Sequence, residues 1–455
     1  MEAGGKTATV VGLGNSGFNA AMLLKGASWF VRATDSADTP SSREAANRLR
    51  ASGIGVEIGA HTEGFIKGSS IIVVSPGVED TSPALKWALK LGIPVIGEME
   101  LGFRFCKGRI IAITGTNGKS TVTALIGEIL KKSGKDTVVC GNIGNCLCGE
   151  IGRITEDTWV VLEVSSFQLE KIEHFRPHMA VILNITDDHM DRYKRFSDYF
   201  GQKLKIFANQ TEDDILILNH DAVNLRTVGD KARARRLFYS RLGAKEAQAV
   251  VKKGSLYCSL GPKGEREICR GRDIRLKGLH NVENILASSL ASILAGADED
   301  SVKTTVMNFK GLDHRFETVT VIDGVEYIDD SKGTTVDSTI RALESCDRPL
   351  ILIAGGNDKN SDYGRAANII KKKVKSLVLI GEAKKMIRDS MGASVAVHDA
   401  KDMSEAVEIS RGLAKENYIV LLSPMCSSFD MFSSYKERGE VFRNAVWRLK
   451  DGVAI

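Results

Sequence analysis

The chain has 455 residues, 43% hydrophobic and 26% charged, with a formal net charge of +5. That is material for about three domains of ordinary soluble composition. The positive excess is mild and no long basic block occurs, which argues against nucleic acid as a partner and leaves small anionic ligands open. No apolar run approaches membrane-spanning length, and Met1 to Val11 contains neither a signal-peptide core nor a cleavage site, so a cytoplasmic protein without membrane attachment is expected. The eight cysteines are scattered as reduced thiols would be. Cys140, Cys146 and Cys148 are the closest to a metal cluster, but they lack the paired two-residue gap and a nearby histidine.

Taken in chain order, the first segment opens with a strand at Val10-Val11 that runs into Gly12-Leu13-Gly14-Asn15-Ser16-Gly17. Asp35 then ends a strand running from near Trp29 to Thr34, and Ser75-Pro76-Gly77 follows a strand at Ile71 to Val74. The glycine spacing and the later acid fit a dinucleotide-binding turn, in which backbone N–H groups at a helix start face a phosphate. Alone, this would suggest a nicotinamide-dependent oxidoreductase. The same loop serves any nucleotide-type ligand, and a purely structural glycine turn is the plain alternative.

The second segment begins with Arg109-Ile-Ile-Ala-Ile113, followed by Thr114-Gly115-Thr116-Asn117-Gly118-Lys119-Ser120-Thr121 and a helix-patterned stretch from Val122 to Lys132. Gly115 and Gly118 permit the sharp turn that aims N–H groups at one anion, Lys119 neutralises phosphate charge, and Ser120 or Thr121 can hold Mg²⁺. This is a shortened phosphate loop, and it makes the chain an expected ATP user. The strand Trp159 to Glu163 delivers Glu163, a carboxylate suited to Mg²⁺, ahead of Ser165-Ser166-Phe167-Gln168. A strand at Met179 to Asn184 delivers Thr186-Asp-Asp-His-Met-Asp191, where a solvated helix start is the plain reading of His189. Lys203, on a helix beginning near Asp198, has no role from spacing alone.

The third segment starts after Gly311, with strands at Thr318 to Ile322, Pro349 to Ala354, Leu377 to Ile380 and Tyr418 to Leu422. The fold class expected is α/β in three domains. These are a Rossmann-like domain over 1–97, a central P-loop-type ATP-binding domain over 98–311 and a Rossmann-like C-terminal domain over 312–455. Strands alternating with helices imply parallel sheets throughout.

The short phosphate loop, Gly141-Asn142-Ile143-Gly144, Glu163 to Gln168, Asn184 to Asp191, His280-Asn281 with Asn284, and His314-Arg315-Phe316-Glu317 together resemble the Mur ligase family. These are ATP-dependent amino-acid ligases of peptidoglycan synthesis, and the resemblance spans essentially the whole chain. Asp329-Asp330-Ser331-Lys332-Gly333-Thr334, Gly355-Gly356-Asn357-Asp358-Lys359 and Leu422 to Phe432 look like the members that add D-glutamate. Gly333 stands where alanine is the commoner residue.

The resemblance implies that Gly14, Asn15, Ser16, Asp35, Ser36, Ser75 and Gly77 hold the UDP-sugar substrate, UDP-N-acetylmuramoyl-L-alanine, and that no nicotinamide is required. It implies two Mg²⁺ ions, one on Ser120 and Glu163, the other on His189 and a carbamate of Lys203. ATP is assigned to Gly115 through Thr121 with Asn281, Asn284, Arg315 and Asp330. Substrate contacts fall to Asn142, Ser165, Gln168, Thr334, Lys359, Ser428, Phe429 and Tyr435, with Lys332 beside the reacting groups. Lys119, Glu163, His189, Lys203 and Lys332 would carry the chemistry, phosphorylation of the L-alanine carboxylate and attack by D-glutamate. Closure of the third domain over ATP and a monomeric protein complete the expectation. Rival readings are a family member adding another amino acid such as L-alanine, an oxidoreductase with an accessory ATP site, and a nucleotide-regulated binding protein.

Overall fold

The computed structural model describes residues 5–188, 192–259, 264–276, 278–358, 361–392 and 395–450. The chain divides into two compact units. One comprises Met1–Ile185, Phe200–Arg270 and Ile285–Val306, the other Thr186–Tyr199, Gly271–Asn284 and Met307–Ile455.

The first unit carries two sheets. Strands β1 (Thr7–Val11), β2 (Phe30–Asp35), β3 (Gly55–Ile58), β4 (Ile71–Val74) and β5 (Val95–Gly97) pair in parallel in the order β3-β2-β1-β4-β5. Successive side chains of a strand point to opposite faces. Ala8, Val10, Ile71 and Val73 therefore pack on one side with Ala20 and Leu24, while Val11, Ile72 and Val74 pack on the other with Ala84 and Leu85. Burial on both faces explains why these strands read as continuous apolar runs. The strand order reverses direction at β1 and β4, and ligands of such sheets bind at that switch point beyond the strand ends. Gly12 and Ser75 stand there.

The second sheet comprises β6 (Arg109–Thr114), β7 (Thr137–Gly141), β8 (Trp159–Glu163), β9 (Met179–Ile182), β10 (Ile215–Asn219), β11 (Arg235–Ser240), β12 (Ala249–Lys252), β13 (Ser255–Ser259) and β14 (Glu265–Arg270). Their order is β14-β13-β12-β11-β10-β9-β6-β8-β7. Pairings among β6 to β12 are parallel, but β12-β13 and β13-β14 are antiparallel, which corrects the expectation of parallel sheets throughout. Lys253 and Gly254, with φ of +48° and +77°, make a two-residue turn too short for a crossover helix.

The second unit holds β15 (Glu317–Ile322), β16 (Val325–Asp329), β17 (Leu350–Gly355), β18 (Val374–Ile380), β19 (Ala396–Asp399) and β20 (Ile419–Leu422), ordered β15-β16-β20-β17-β18-β19. The β15-β16 hairpin is again antiparallel, closed by Asp323-Gly324 at φ of +50° and +75°. The other pairings are parallel. Two pieces of the expected central segment, Thr186–Tyr199 and Gly271–Asn284, cluster with this unit. The architecture is α/β with three separate sheets, built on Rossmann-like parallel cores.

Candidate active site

At the first glycine loop, Gly12 has φ +91°, and a Cβ on Gly17 would stand 1.8 Å from the Gly12 carbonyl oxygen. The helix Asn15–Gly26 therefore starts closer to its strand than any side chain permits. The Ser75 hydroxyl donates to Gly12 O at 3.0 Å, tying β4 to the loop. Asp35 accepts from the N–H groups of Leu13 (2.7 Å) and Ala37 (2.8 Å), so its carboxylate also shapes the loop. Gly14, Asn15, Ser36 and Gly77 are exposed around this point, and Ser16 is half-buried. The switch point thus brings together the residues assigned to the sugar nucleotide.

The phosphate loop follows β6 and ends at helix Lys119–Lys132, with Gly115 at φ +158° and Gly118 at +87°. Asn184 pins it. Its side-chain oxygen accepts from Asn117 N–H at 2.9 Å, its amide donates to Asn117 O at 3.1 Å, and its carbonyl accepts from Thr116 N–H at 2.8 Å. Lys119 Nζ turns back onto the carbonyls of Gly115 and Thr116, both at 2.8 Å. Lys203, only 2% exposed, donates to the same Gly115 carbonyl at 2.9 Å. Ser120 and Thr121 are buried in the first helical turn.

Pairing of β8 with β6 sets Glu163 opposite Ile113, at the strand end from which the loop departs. Asn142 donates to buried Glu163 twice, from its side chain to Oε1 at 2.8 Å and from its backbone to the carbonyl at 2.9 Å. Ser165 and Gln168 form a capping box at helix Ser166–Glu170, so their side chains are engaged in starting that helix. Gln168 also lines a crevice with Ser75, Pro76 and Lys171.

In the second unit the Asp330 to Thr334 turn follows β16. Asp330 as a residue is half-buried, but its carboxylate is turned inward, accepting from Ser423 Oγ (2.8 Å) and Phe316 N–H (3.2 Å), and burial pushes it up to about 7. Lys332 Nζ donates to the Tyr435 hydroxyl at 3.2 Å and lies 4.6 Å from that ring's centre, a cation–π contact. Asn284 donates to Asn281 Oδ1 at 3.1 Å, both residues being buried. Thr334 is half-buried, Ser428 is buried and Phe429 is 72% exposed. Arg315 follows His314, whose Nδ1 lies 2.7 Å from Asp329 Oδ2. That hydrogen bond holds the His314 imidazole above its usual range.

One full-length relative, a UDP-N-acetylmuramoylalanine--D-glutamate ligase of Geobacter sp. (strain M21), is 43% identical over 454 residues, covering both chains completely. A ligase of the same name from Koribacter versatilis (strain Ellin345) is 41% identical over 451 residues, 99% of each chain. The chain belongs to the Mur ligase family. Models of its parts match in register with the sheets: the MurD-like N-terminal domain at residues 6–97, the Mur ligase middle domain at 113–292 and the glutamate ligase domain at 314–426. The fold is that of solved family members. UDP-N-acetylmuramate-alanine ligase from Thermotoga maritima superposes with a TM-score of 0.60 at 19% identity, covering 98% of this chain and 99% of that one.

Two residues of the Mur ligase pattern, His189 and Lys359, lie outside the described residues. Ser120 and Glu163 offer the oxygen donors that Mg²⁺ prefers and fit the first ion. Lys203 as an ammonium offers no donor pair, and it fits the second ion only as a carbamate. The three cysteines do not converge as ligands. Among the described residues the group that does is His314, Glu317 and Asp329, within 4.8 Å of one another, and the guanidinium of Arg443 already supplies positive charge there.

Arg438 is not among the residues expected from the sequence. It is fully buried, and it donates to Ser331 Oγ (3.1 Å), Ser331 O (2.8 Å), Cys426 O (3.2 Å) and Ser427 O (3.1 Å). It joins the turn bearing Lys332 to the loop bearing Ser428. Burial lowers its pKa to about 10. Helical spacing places it on one stripe with Phe442, Ala445, Val446 and Leu449, and a cation on that apolar stripe is the local signal that sets it apart from a surface arginine.

Proposed function

We propose that the chain joins D-glutamate to the L-alanine carboxylate of UDP-N-acetylmuramoyl-L-alanine, with ATP activating that carboxylate as an acyl phosphate. The observation that carries this is the phosphate loop itself, with Lys119 and buried Lys203 on one carbonyl and Glu163 at the neighbouring strand end, in a chain whose full-length relatives bear that ligase name.

A carboxylate resists amine attack because it is already an anion and has a poor leaving group. Transfer of the γ-phosphoryl group supplies a leaving group. The N–H groups of the loop and Lys119 stabilise charge on the transferring phosphate, moving off the loop carbonyls to do so. Mg²⁺, held by Ser120 and Glu163 and, for a second ion, by His189 and a Lys203 carbamate, supplies further neutralisation when bound. Asn142 holds Glu163 in place through two hydrogen bonds. Asn281, Asn284, Arg315 and Asp330 are assigned to the nucleotide. Lys332, Thr334, Lys359, Ser428 and Tyr435 are assigned to substrate carboxylates or phosphate, and Phe429 to substrate, as the amine of D-glutamate attacks the acyl carbon before phosphate departs. The Gly12 to Gly17 loop and Asp35 take the uridine diphosphate.

Phosphate release measured with ATP, Mg²⁺ and the sugar nucleotide across a panel of amino acids tests the reading. Release is expected with D-glutamate, and equal release with every amino acid or none would sink it.

A further inference from the structure

Helix Glu98–Phe105 starts directly after β5, the last strand of the first sheet, and leads into β6 of the second. A short connection between two sheets is an ordinary place for a hinge. Here it is bonded along its length. Glu100, fully buried, accepts through Oε2 from the backbone N–H groups of Glu173 (3.0 Å), His174 (3.1 Å) and Phe175 (2.9 Å), and through Oε1 from Arg104 Nε (2.9 Å). Arg104 continues to Glu173 at 2.5 Å. Buried Glu98 accepts the Cys148 N–H at 2.7 Å, and the Cys148 thiol donates to the Glu98 carbonyl at 3.3 Å. Gly97 N–H donates to Lys171 O at 2.9 Å. Phe103 packs edge-on against Phe175 with ring centres 5.5 Å apart.

One helix of the linker thus carries two buried carboxylates that accept backbone amides from segments connecting strands of the second sheet, Glu98 from the short helix Leu147–Glu150 and Glu100 from the stretch before β9. Bonds of this kind to a carboxylate are strong, and removing the Glu100 carboxylate leaves three backbone N–H groups and Arg104 without their acceptor at once. The crevice lined by Ser75, Pro76, Gln168 and Lys171 runs along the same joint, and Lys171 pairs across it with Asp80 at 2.6 Å.

We propose that Glu98 and Glu100 are positioning residues that lock the sheet bearing the Gly12 to Gly17 loop to the sheet bearing the phosphate loop. The distance between the two nucleotide sites is then fixed. This rests on the ligase reading: the carboxylate to be phosphorylated lies at the far end of a ligand whose diphosphate is held on the first sheet. A ligand held at one end needs its other end placed to within an ångström or so, since a 1 Å misplacement costs on the order of 100-fold in rate.

The two acids make different predictions. Burial raises the Glu98 carboxyl above its usual range. In Glu98→Gln an amide oxygen still accepts the Cys148 N–H, so kcat is expected within about twofold of the wild type. In Glu100→Gln an NH₂ group must face either Arg104 or the three amides. There kcat is expected to fall about tenfold or more, while affinities for an ATP analogue and for UDP-N-acetylmuramoyl-L-alanine, measured separately, stay within about twofold. Wild-type kcat in Glu100→Gln, or a parallel loss of both affinities, would overturn the proposal. Hydrogen exchange of the wild type keeps it testable even if that variant fails to fold. The amides of Glu173, His174 and Phe175 are expected to exchange as slowly as those of β1 and β6, with and without sugar nucleotide, and exchange at free-loop rates would also overturn it. If the wild type released no phosphate with D-glutamate, the ligase reading would fall, whereas slow exchange at these amides would still report the lock.

Discussion

Lys203 shows what a single residue's surroundings add. Its side chain is buried and ends on Gly115 O, the carbonyl that Lys119 also uses, so two cations converge on one backbone oxygen. Conversion of Lys203 to a carbamate would replace one of those cations with an anion suited to Mg²⁺. Lys203→Ala is expected to abolish D-glutamate-dependent phosphate release, with partial recovery on adding a small carboxylic acid, and full activity of the unsupplemented variant would rule the carbamate out. Asp330 makes a second prediction at this scale. Its ordinary pKa of 3.8 is pushed up to about 7 by burial, so the folded state binds more protons than the unfolded one. Its contribution to stability is therefore full below the ordinary value and lost as pH rises through about 7. His314, raised by Asp329, acts in the same direction. Denaturant unfolding measured from acid to neutral pH is expected to show declining stability of the second unit, with a shallower decline in Asp330→Asn; identical slopes would contradict the assignment.

At the scale of elements, turns decide what strands and helices present. Gly17 is required by a close approach. An alanine there meets the Gly12 carbonyl, a backbone atom that cannot step aside without opening the loop. Gly17→Ala is expected to weaken the sugar nucleotide by about tenfold or more, roughly 1.4 kcal/mol, leaving ATP-analogue affinity unchanged. Calorimetric titration of each ligand separates the two, and equal weakening of both would show a general loss of fold. The hairpins teach the converse lesson. Asp323-Gly324 is a strong two-residue turn signal that points to the β15-β16 hairpin, whereas the alternation of strands and helices around it points to a parallel sheet and hides β16. The Ser165–Gln168 capping box was likewise written in the sequence as Ser-x-x-Gln.

At the scale of the molecule, the division into two units predicts how the chain unfolds. Arg438 binds loops within the second unit, and a Met in its place leaves several carbonyls without donors, at a cost on the order of 3 kcal/mol. Of the four tryptophans, Trp447 lies in that unit and Trp29, Trp87 and Trp159 in the other. Arg438→Met is expected to move the urea transition seen in the second unit while the other holds; monitoring variants that retain Trp447 alone or lack it would show this, and a common shift would mean that the units unfold together.

The sequence by itself determined both glycine loops, the α/β class and the family. Those features depend on local chemistry, glycines at fixed offsets and a lysine at a helix start, which neighbouring residues alone specify. Tertiary structure alone decided that Glu100 and Arg438 bind backbone groups 75 and 107 residues away and that Asn184 pins a loop 67 residues earlier. Helical spacing puts Arg438 on a buried stripe, but the partners of such a guanidinium or carboxylate are set by which distant backbone groups the fold leaves unpaired beside it, and no local pattern states those.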